Sequence, residues 1–420
     1  MLRRVAITFL HPWRTGSVLC LVAVLLAAGC ADDSGQAGDA SVGPGSDATG
    51  DVGQEDAPPV PGDGVGETTP EATPPSLSLD VVTFNAGLAR NFVPYADERL
   101  PWVVDALANL DADVVCLQEV WTPDQIDAIV AGVTDAFPHE YHVVTEDPGT
   151  GEPACTPQEA DPMLTCVQDH CADDPDLTGC ALSNCGEEFA ALSQSCTGCL
   201  AANIDKPLDE IATLCTESSA LYAWNGHNGL LLLSRLALEE TTSTVLDSTL
   251  VQRAVLHARV LGAVDVFCTH LAANLDEPPY AGPYGSYAGE QAHQIDQLAA
   301  WIDEQAGQAP AVLLGDLNTG PDLPPDIVGE LPDNWALLAG WGWQAPYVEQ
   351  DAPACTFCAD NPLVGEGSSH IIDHVLLRTG TVDLVERVLD EPITLQTDAG
   401  PVDSRLSDHY AVRVRFSWMP

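Results

Sequence analysis

PAVLLGDLNTGP, residues 310–321, has the texture of a buried β-strand and its exit. Four apolar residues, Ala311 to Leu314, lead into Gly315. Asp316 and Asn318 then stand two apart, a spacing that turns both to one face of an extended chain. Thr319, Gly320 and Pro321 mark a turn. An acid and an amide in that place either cap the turn through Asx-type hydrogen bonds or face a site.

The same arrangement recurs along the chain. LSLDVVTFN ends on Asn85, DVVCLQEVW carries Gln118 and Glu119, and VDVFCTH ends on His270. Asp373 lies in IIDH, and Asp408 and His409 open the final alternating segment SDHYAVRVRF. NGLLLLSR, 228–235, reads as another core strand. RAVLHARVL, 253–261, alternates and is expected to pair with 264–270 across Gly262 and Ala263.

Helical periodicity is clear in two places. DERLPWVVDALANLDAD spaces Trp102, Val103, Ala106, Leu107 and Leu110 along a helix, with Pro101 in its first turn. EQAHQIDQLAAWIDEQ puts Ile295, Leu298 and Ile302 on one face. Helices are few and hairpins many, so an α+β fold is expected, with mixed sheets and helices on their outer faces.

One polar strand end is ordinarily a turn cap. Six such ends offering only carboxylate, amide and imidazole suit a shared cleft, because strand ends on one sheet edge converge. A hard cation such as Mg²⁺ takes oxygen ligands and leaves positions for water and phosphate. Carboxylate, amide and imidazole can orient water, accept its proton and stabilise an oxyanion. The zinc pattern H-E-x-x-H, a Gly-rich phosphate loop and the G-x-S-x-G elbow are absent from the sequence.

TFN with Asn85, LQEVW with Glu119, NGLLLLSR, CTHL with His270, GDLNTGP with Asp316 and Asn318, IIDHVLL with Asp373, and LSDHYAV with Asp408 and His409 occur in this order. Together they resemble the endonuclease/exonuclease/phosphatase superfamily, which includes deoxyribonuclease I, abasic-site endonucleases, inositol-phosphate phosphatases and bacterial sphingomyelinases. CTFCADNPL, 355–363, resembles that family's Thr-aromatic…Asn segment. The resemblance spans about 77–418 apart from a Cys-rich block. It implies a four-layer α/β/β/α sandwich of two packed mixed sheets and hydrolysis of phosphate esters with Mg²⁺, Mn²⁺ or Ca²⁺. It implies Glu119, Asn85 and Asp408 at the metal, and Asp316 and Asn318 at the attacking water and the phosphate. His270 is implied at phosphate oxygens. His409 is implied as the acid/base imidazole, with Asp373 on its other nitrogen.

The ends of the chain are of another kind. Residues 1–29 carry Arg3, Arg4 and Arg14, an apolar run from Val18 to Ala28, and LAAGC ending at Cys30. That is a signal peptide whose end resembles a bacterial lipobox, which implies lipidation of Cys30. Ala31 is then expected to favour release toward an outer membrane. Residues 30–76 are Gly, Pro, Ser, Thr, Asp and Glu with almost no large apolar side chain, as in a disordered tether. The main domain is expected over 77–420.

Charge and cysteine usage bound the function. The net charge is −49, with Lys206 as the only lysine. Such a chain lacks the basic footprint of a tight nucleic-acid binder. Eight cysteines crowd into an insertion at about 150–220: Cys155, Cys166, Cys171, Cys180, Cys185, Cys196, Cys199 and Cys215. In an exported chain this density predicts disulfides, with a zinc cluster near His170 as the competing reading. Cys355 and Cys358 are expected to form a local clamp, and Cys116 and Cys268 to be small apolar core residues. His227, His257, His293, His370 and His374 are expected at the surface or behind the site. Three functions remain: a lipid-anchored sphingomyelinase/phospholipase C-like phosphodiesterase, a deoxyribonuclease-like endonuclease, or an inactive sandwich carrying a Cys-rich binding module. No protein partner is indicated.

Overall fold

The computed structural model describes residues 76–419, except 146, 148, 150, 151, 173, 175, 176, 204, 205, 218, 220, 221, 276–279, 281 and 366. The expected signal peptide, Cys30 and the tether up to residue 75 lie outside the described residues.

The first half contains β1 (Leu77–Asn85), α1 (Ala96–Ala108), β2 (Val114–Gln118), α2 (Pro123–Val133) and β3 (His139–Tyr141). Five helices follow: α3 (Pro157–Cys171), α4 (Leu177–Asn184), α5 (Gly186–Ala190), α6 (Gln194–Ala202) and α7 (Leu208–Glu217). Next come β4 (Leu231–Ser234), β5 (Glu239–Leu246), β6 (Arg253–Val260), β7 (Val264–His270), α8 (Tyr287–Ala306), β8 (Ala311–Asp316) and α9 (Pro332–Ala339). The chain closes with β9 (Asp373–Leu377), β10 (Thr381–Val388), β11 (Ile393–Thr397), β12 (Gly400–Ser404) and β13 (Ala411–Trp418).

Two mixed sheets pack face to face. One has the order β10-β13-β1-β2-β4-β3 and the other β5-β6-β7-β8-β9. β1 alternates between two cores. Leu79 and Val81 face the inter-sheet core with Leu256, Val266 and Leu314, while Val82 and Phe84 face α1 and α2 with Val103 and Ile129. On the far side, Ile295, Leu298 and Ile302 of α8 cover the second sheet with Phe267 and Leu313. The result is the four-layer α/β/β/α sandwich, and strands buried on both faces explain why the sequence shows continuous apolar runs.

The structure departs from two expectations. α1 starts at Ala96, so Pro101 lies inside the helix, beyond its first turn. Trp102 is 43% exposed while Val103 and Leu107 are fully buried. Cys116 and Cys268 form a disulfide with Cα atoms 5.5 Å apart, joining β2 to β7 across the inter-sheet core. They are buried as expected, but the packing of one sheet on the other brings their sulfurs together. His257 and His374, expected at the surface or behind the site, are buried. His257 is hydrogen-bonded to Asp265 at 2.8 Å, and His374 to the Thr319 carbonyl at 2.8 Å.

The cysteine-rich segment is helical. Its eight cysteines pair as Cys155–Cys196, Cys166–Cys185, Cys171–Cys180 and Cys199–Cys215. Cys355 and Cys358 also pair, as expected.

Candidate active site

The sheet register gathers the polar strand ends. β7 and β8 are parallel with His270 opposite Asp316, and β8 and β9 are antiparallel with Asp316 opposite Asp373. Three strands therefore present an imidazole and two carboxylates at one level of one edge. On the other sheet, parallel β1 and β2 set Asn85 opposite Gln118, and Glu119 follows immediately. Asp408 and His409 precede β13, which is the other neighbour of β1.

The stretch 310–321 does two jobs at once. Asp316 Oδ1 accepts the Asn318 backbone N–H at 2.9 Å, which is the turn cap. Asp316 Oδ2 faces the cluster, accepting from Asn85 Nδ2 at 2.9 Å and lying 3.4 Å from His270 Nε2 and 3.9 Å from His409 Nε2. Asn318 donates from Nδ2 to the Leu271 carbonyl at 3.0 Å, with His270 Nε2 also 3.0 Å away. His409 Nδ1 is 2.9 Å from Asp373 Oδ2. One ligand atom each of Asp316, Asp373 and His409 lies within 4.8 Å of the others, close enough to hold a cation.

Asn85 connects the two sheets. Its Nδ2 donates to Glu119 Oε1 at 3.2 Å as well as to Asp316, while its Oδ1 accepts the Gly87 N–H at 3.0 Å. In this orientation the amide nitrogen, not the oxygen, faces the carboxylates. Asp408 Oδ1 accepts from Ser407 Oγ at 3.0 Å and sits over Gly87, where a Cβ would approach it to 2.2 Å.

Burial sets the charge states. Burial pushes the Glu119 carboxyl up, and the nearby Asp408 charge adds to it. Asp316 is raised to about 7 by burial and then by Asp373. Burial alone would lower His409, but Asp373, Asp408 and Asp316 together hold its pKa well above the ordinary imidazole value. His270 is driven well below that value by burial, then by Arg253 and His409, so it is neutral.

The donor set fits a divalent cation. Glu119 Oε2 and Asp373 Oδ1 are buried with no hydrogen-bond partner. An anionic oxygen left so is costly, and a hard cation satisfies it. Glu119 also takes a left-handed backbone conformation, φ 57°, that a non-glycine residue adopts at a cost. Asn318 does the same at φ 48°, which suits an amide better.

A supporting loop explains the CTFCADNPL segment. Thr356 Oγ1 accepts the Ile372 and Asp373 N–H groups at 3.1 and 3.2 Å. Asn361 Nδ2 donates to the carbonyls of Ser407 and Asp408 at 2.9 and 3.1 Å. One loop thus positions both members of the Asp373–His409 pair.

Across residues 82–409 the sequence matches the endonuclease/exonuclease/phosphatase family. The chain belongs to that family. As an endonuclease/exonuclease/phosphatase hydrolase it has a phosphoesterase fold. Solved structures similar to it include sphingomyelinase C from Streptomyces griseocarneus, at 17% identity, 81% of this chain, 99% of that chain and TM-score 0.48. A family protein from Bacteroides thetaiotaomicron has 12% identity, 82% and 99% coverage and TM-score 0.46. A double mutant of beta toxin from Staphylococcus aureus with bound magnesium ions has 13% identity, 80% and 99% coverage and TM-score 0.48. No curated protein matches the sequence.

Two residues of this family hydrolase escaped sequence reasoning. Arg253 is buried, lines the same cavity as the cluster, and has an unpartnered Nη1. Burial lowers it to about 10, against the pull of Glu119 and Asp316, so it stays cationic. Its place at the start of a strand, directly after a polar residue, was the available signal. Arg99 is fully buried and donates to the carbonyls of Ala86, Gly87 and Leu406, fixing the loops that carry Gly87 and Asp408. Nothing in a helix that reads as amphipathic announces that role. Between β7 and α8, Tyr280 and Tyr284 bond to Glu290 and Asp247, and Tyr287 at the start of α8 lines the cavity. Asn228 serves a turn, bonding to Val143 and Leu230.

Proposed function

We propose that the protein is a divalent-cation-dependent phosphodiesterase, exported and lipid-anchored at Cys30, acting on phospholipid-type head groups in the manner of a sphingomyelinase or phospholipase C. The observation that carries this reading is the free, buried Glu119 Oε2 beside the Asp316–His409–Asp373 array. A cation held by Glu119, with Asp408 and a turned Asn85 amide, would neutralise a phosphoryl oxygen and the charge that develops on it. Mg²⁺ suits the oxygen set best, with Mn²⁺ and Ca²⁺ as alternatives.

The chain's own groups divide the remaining work. Asp316 Oδ2 orients the attacking water, and a pKa near 7 lets it exchange a proton at neutral pH. Asp373 fixes the His409 ring by its Nδ1 and keeps it cationic, which places positive charge opposite the forming oxyanion. Asn318 and neutral His270 hold phosphate oxygens as hydrogen-bond partners, and Arg253 adds a fixed charge from the cavity wall.

A deoxyribonuclease-like activity is the second reading, because the same cluster serves any phosphodiester. A net charge of −49 disfavours it. The third reading, an inactive sandwich, leaves the gathered cluster without a purpose. The test is to incubate the protein with Mg²⁺ and, separately, plasmid DNA, RNA, sphingomyelin, phosphatidylcholine and inositol phosphates. Lipid cleavage abolished by chelation is expected. DNA cleavage without lipid cleavage would move the assignment to the second reading, and inertness toward all would end the proposal. The anchor is tested by membrane partition, which Cys30→Ala should abolish.

A further inference from the structure

The cavity that holds the cluster extends well beyond it, to a volume of about 620 Å³. Part of its wall is polar, with Glu119, His270, Asp316, Asn318, Asp408 and His409. Another part is built by the disulfide-linked helices. All five contribute, through Leu164 and Val167 of α3, Leu182 of α4, Phe189 of α5, Leu200 of α6 and Ile211 of α7. Every residue that these helices place on the cavity wall is apolar.

Such a wall needs support. Left free, short helices would close over their leucines and remove the apolar surface from water. α5 has five residues and α6 nine, too few for independent helices. Their packing is instead dominated by cystines: Cys155, Cys196, Cys199 and Cys215 form the centre of one cluster and Cys171 and Cys185 that of another. Leu164, Leu200 and Leu208 pack against these clusters and remain only half-buried. Four cross-links hold the helices in place while apolar side chains face open space.

Resting on the phosphodiesterase reading, we propose that the insertion is an alkyl-chain receptor. The substrate is then an amphiphile whose scissile phosphate sits at the cluster and whose hydrocarbon chain runs between the insertion helices and the sandwich. One cavity of the size that encloses a small ligand thus carries both a polar wall for the phosphate and an apolar wall for the chain. A nucleic acid does not fit this wall, since residues 150–220 hold Lys206 and no arginine.

The experiment uses p-nitrophenyl alkyl phosphodiesters from methyl to dodecyl, kept below their micelle concentrations, with Mg²⁺. The water oxygen bonds to phosphorus and gives up one proton to solvent, the P–O bond to the nitrophenyl group breaks, and nitrophenolate leaves with the electron pair, so that the alkyl phosphate remains. We expect kcat/KM to rise about fourfold per methylene, the equivalent of about 0.8 kcal/mol per buried CH₂, and then to level off. Leu182→Glu and, on a second helix, Leu200→Glu should each lower the dodecyl-to-methyl ratio by more than tenfold while the circular dichroism spectrum is kept. In parallel, a dansyl fatty acid is titrated into His409→Ala, which separates chain binding from turnover. Saturable binding weakened by Leu182→Glu supports the receptor even if no diester is cleaved, in which case the phosphodiesterase reading alone fails. Cleavage with a flat chain-length profile and no probe binding overturns the receptor and leaves the phosphodiesterase standing.

Discussion

His374 shows how much one buried ring contributes to the site without touching it. Its Nε2 holds the Thr319 carbonyl, and its ring stacks on Trp335 with centroids 4.5 Å apart. Burial lowers its pKa to about 4. A folded-state value below the ordinary 6.5 means that the neutral ring is the native form. Its contribution is therefore complete above pH 6.5 and is lost as pH falls from there toward 4, by up to about 3 kcal/mol. His374→Asn should make the stability profile shallower in that window, as read from thermal midpoints at several pH values. Identical slopes in the two proteins would contradict the assignment. Arg253 acts at the same scale but from within the cavity. Arg253→Met keeps the length, removes the charge, and should lower kcat/KM for a phosphodiester by about 10–100-fold, the worth of a charge-assisted hydrogen bond. An unchanged kcat/KM would remove Arg253 from the phosphate.

Among elements, β7, β8 and β9 matter most, because their register alone aligns His270, Asp316 and Asp373. The turn after β8 depends on Gly320, where a Cβ would meet the Ile371 carbonyl at 1.8 Å. Gly320→Ala must displace either the Asn318 turn or the entry to β9. We expect a lower thermal midpoint and lost turnover together; wild-type values in both would show the turn to be slack. The strand ends were legible in sequence because each strand is buried on both faces, so a polar residue at its end stands out. The helix of Ile295, Leu298 and Ile302 was legible because only one of its faces is covered. The Cys116–Cys268 bridge was not, because it depends on how one sheet lies on the other, and no local pattern records that. The helices of the insertion were hidden for a related reason: cystines replace much of the apolar periodicity that would reveal them. Arg99 and Arg253 were missed because a buried arginine is defined by its carbonyls and cavity, which come from distant segments.

For the whole molecule, six disulfides among the described residues place folding in an oxidising compartment. No helix among them is long and apolar enough to cross a membrane. The Cys116–Cys268 bridge spans 152 residues and ties the two sheets together. Replacing both cysteines by alanine should cost about 2–5 kcal/mol, visible as a lower urea midpoint. An unchanged midpoint would mean that sheet packing alone holds the sandwich. The sandwich brings the end of β1 and Glu119 from one sheet against the β7–β9 edge of the other. The most direct test is the Mg²⁺-dependent hydrolysis of bis(p-nitrophenyl) phosphate by the wild-type protein, Glu119→Ala and His409→Ala, all with intact folding. We expect wild-type turnover that chelation abolishes, and a loss of about 10²–10⁴-fold in each variant. Turnover near the wild-type rate in both variants would contradict this expectation.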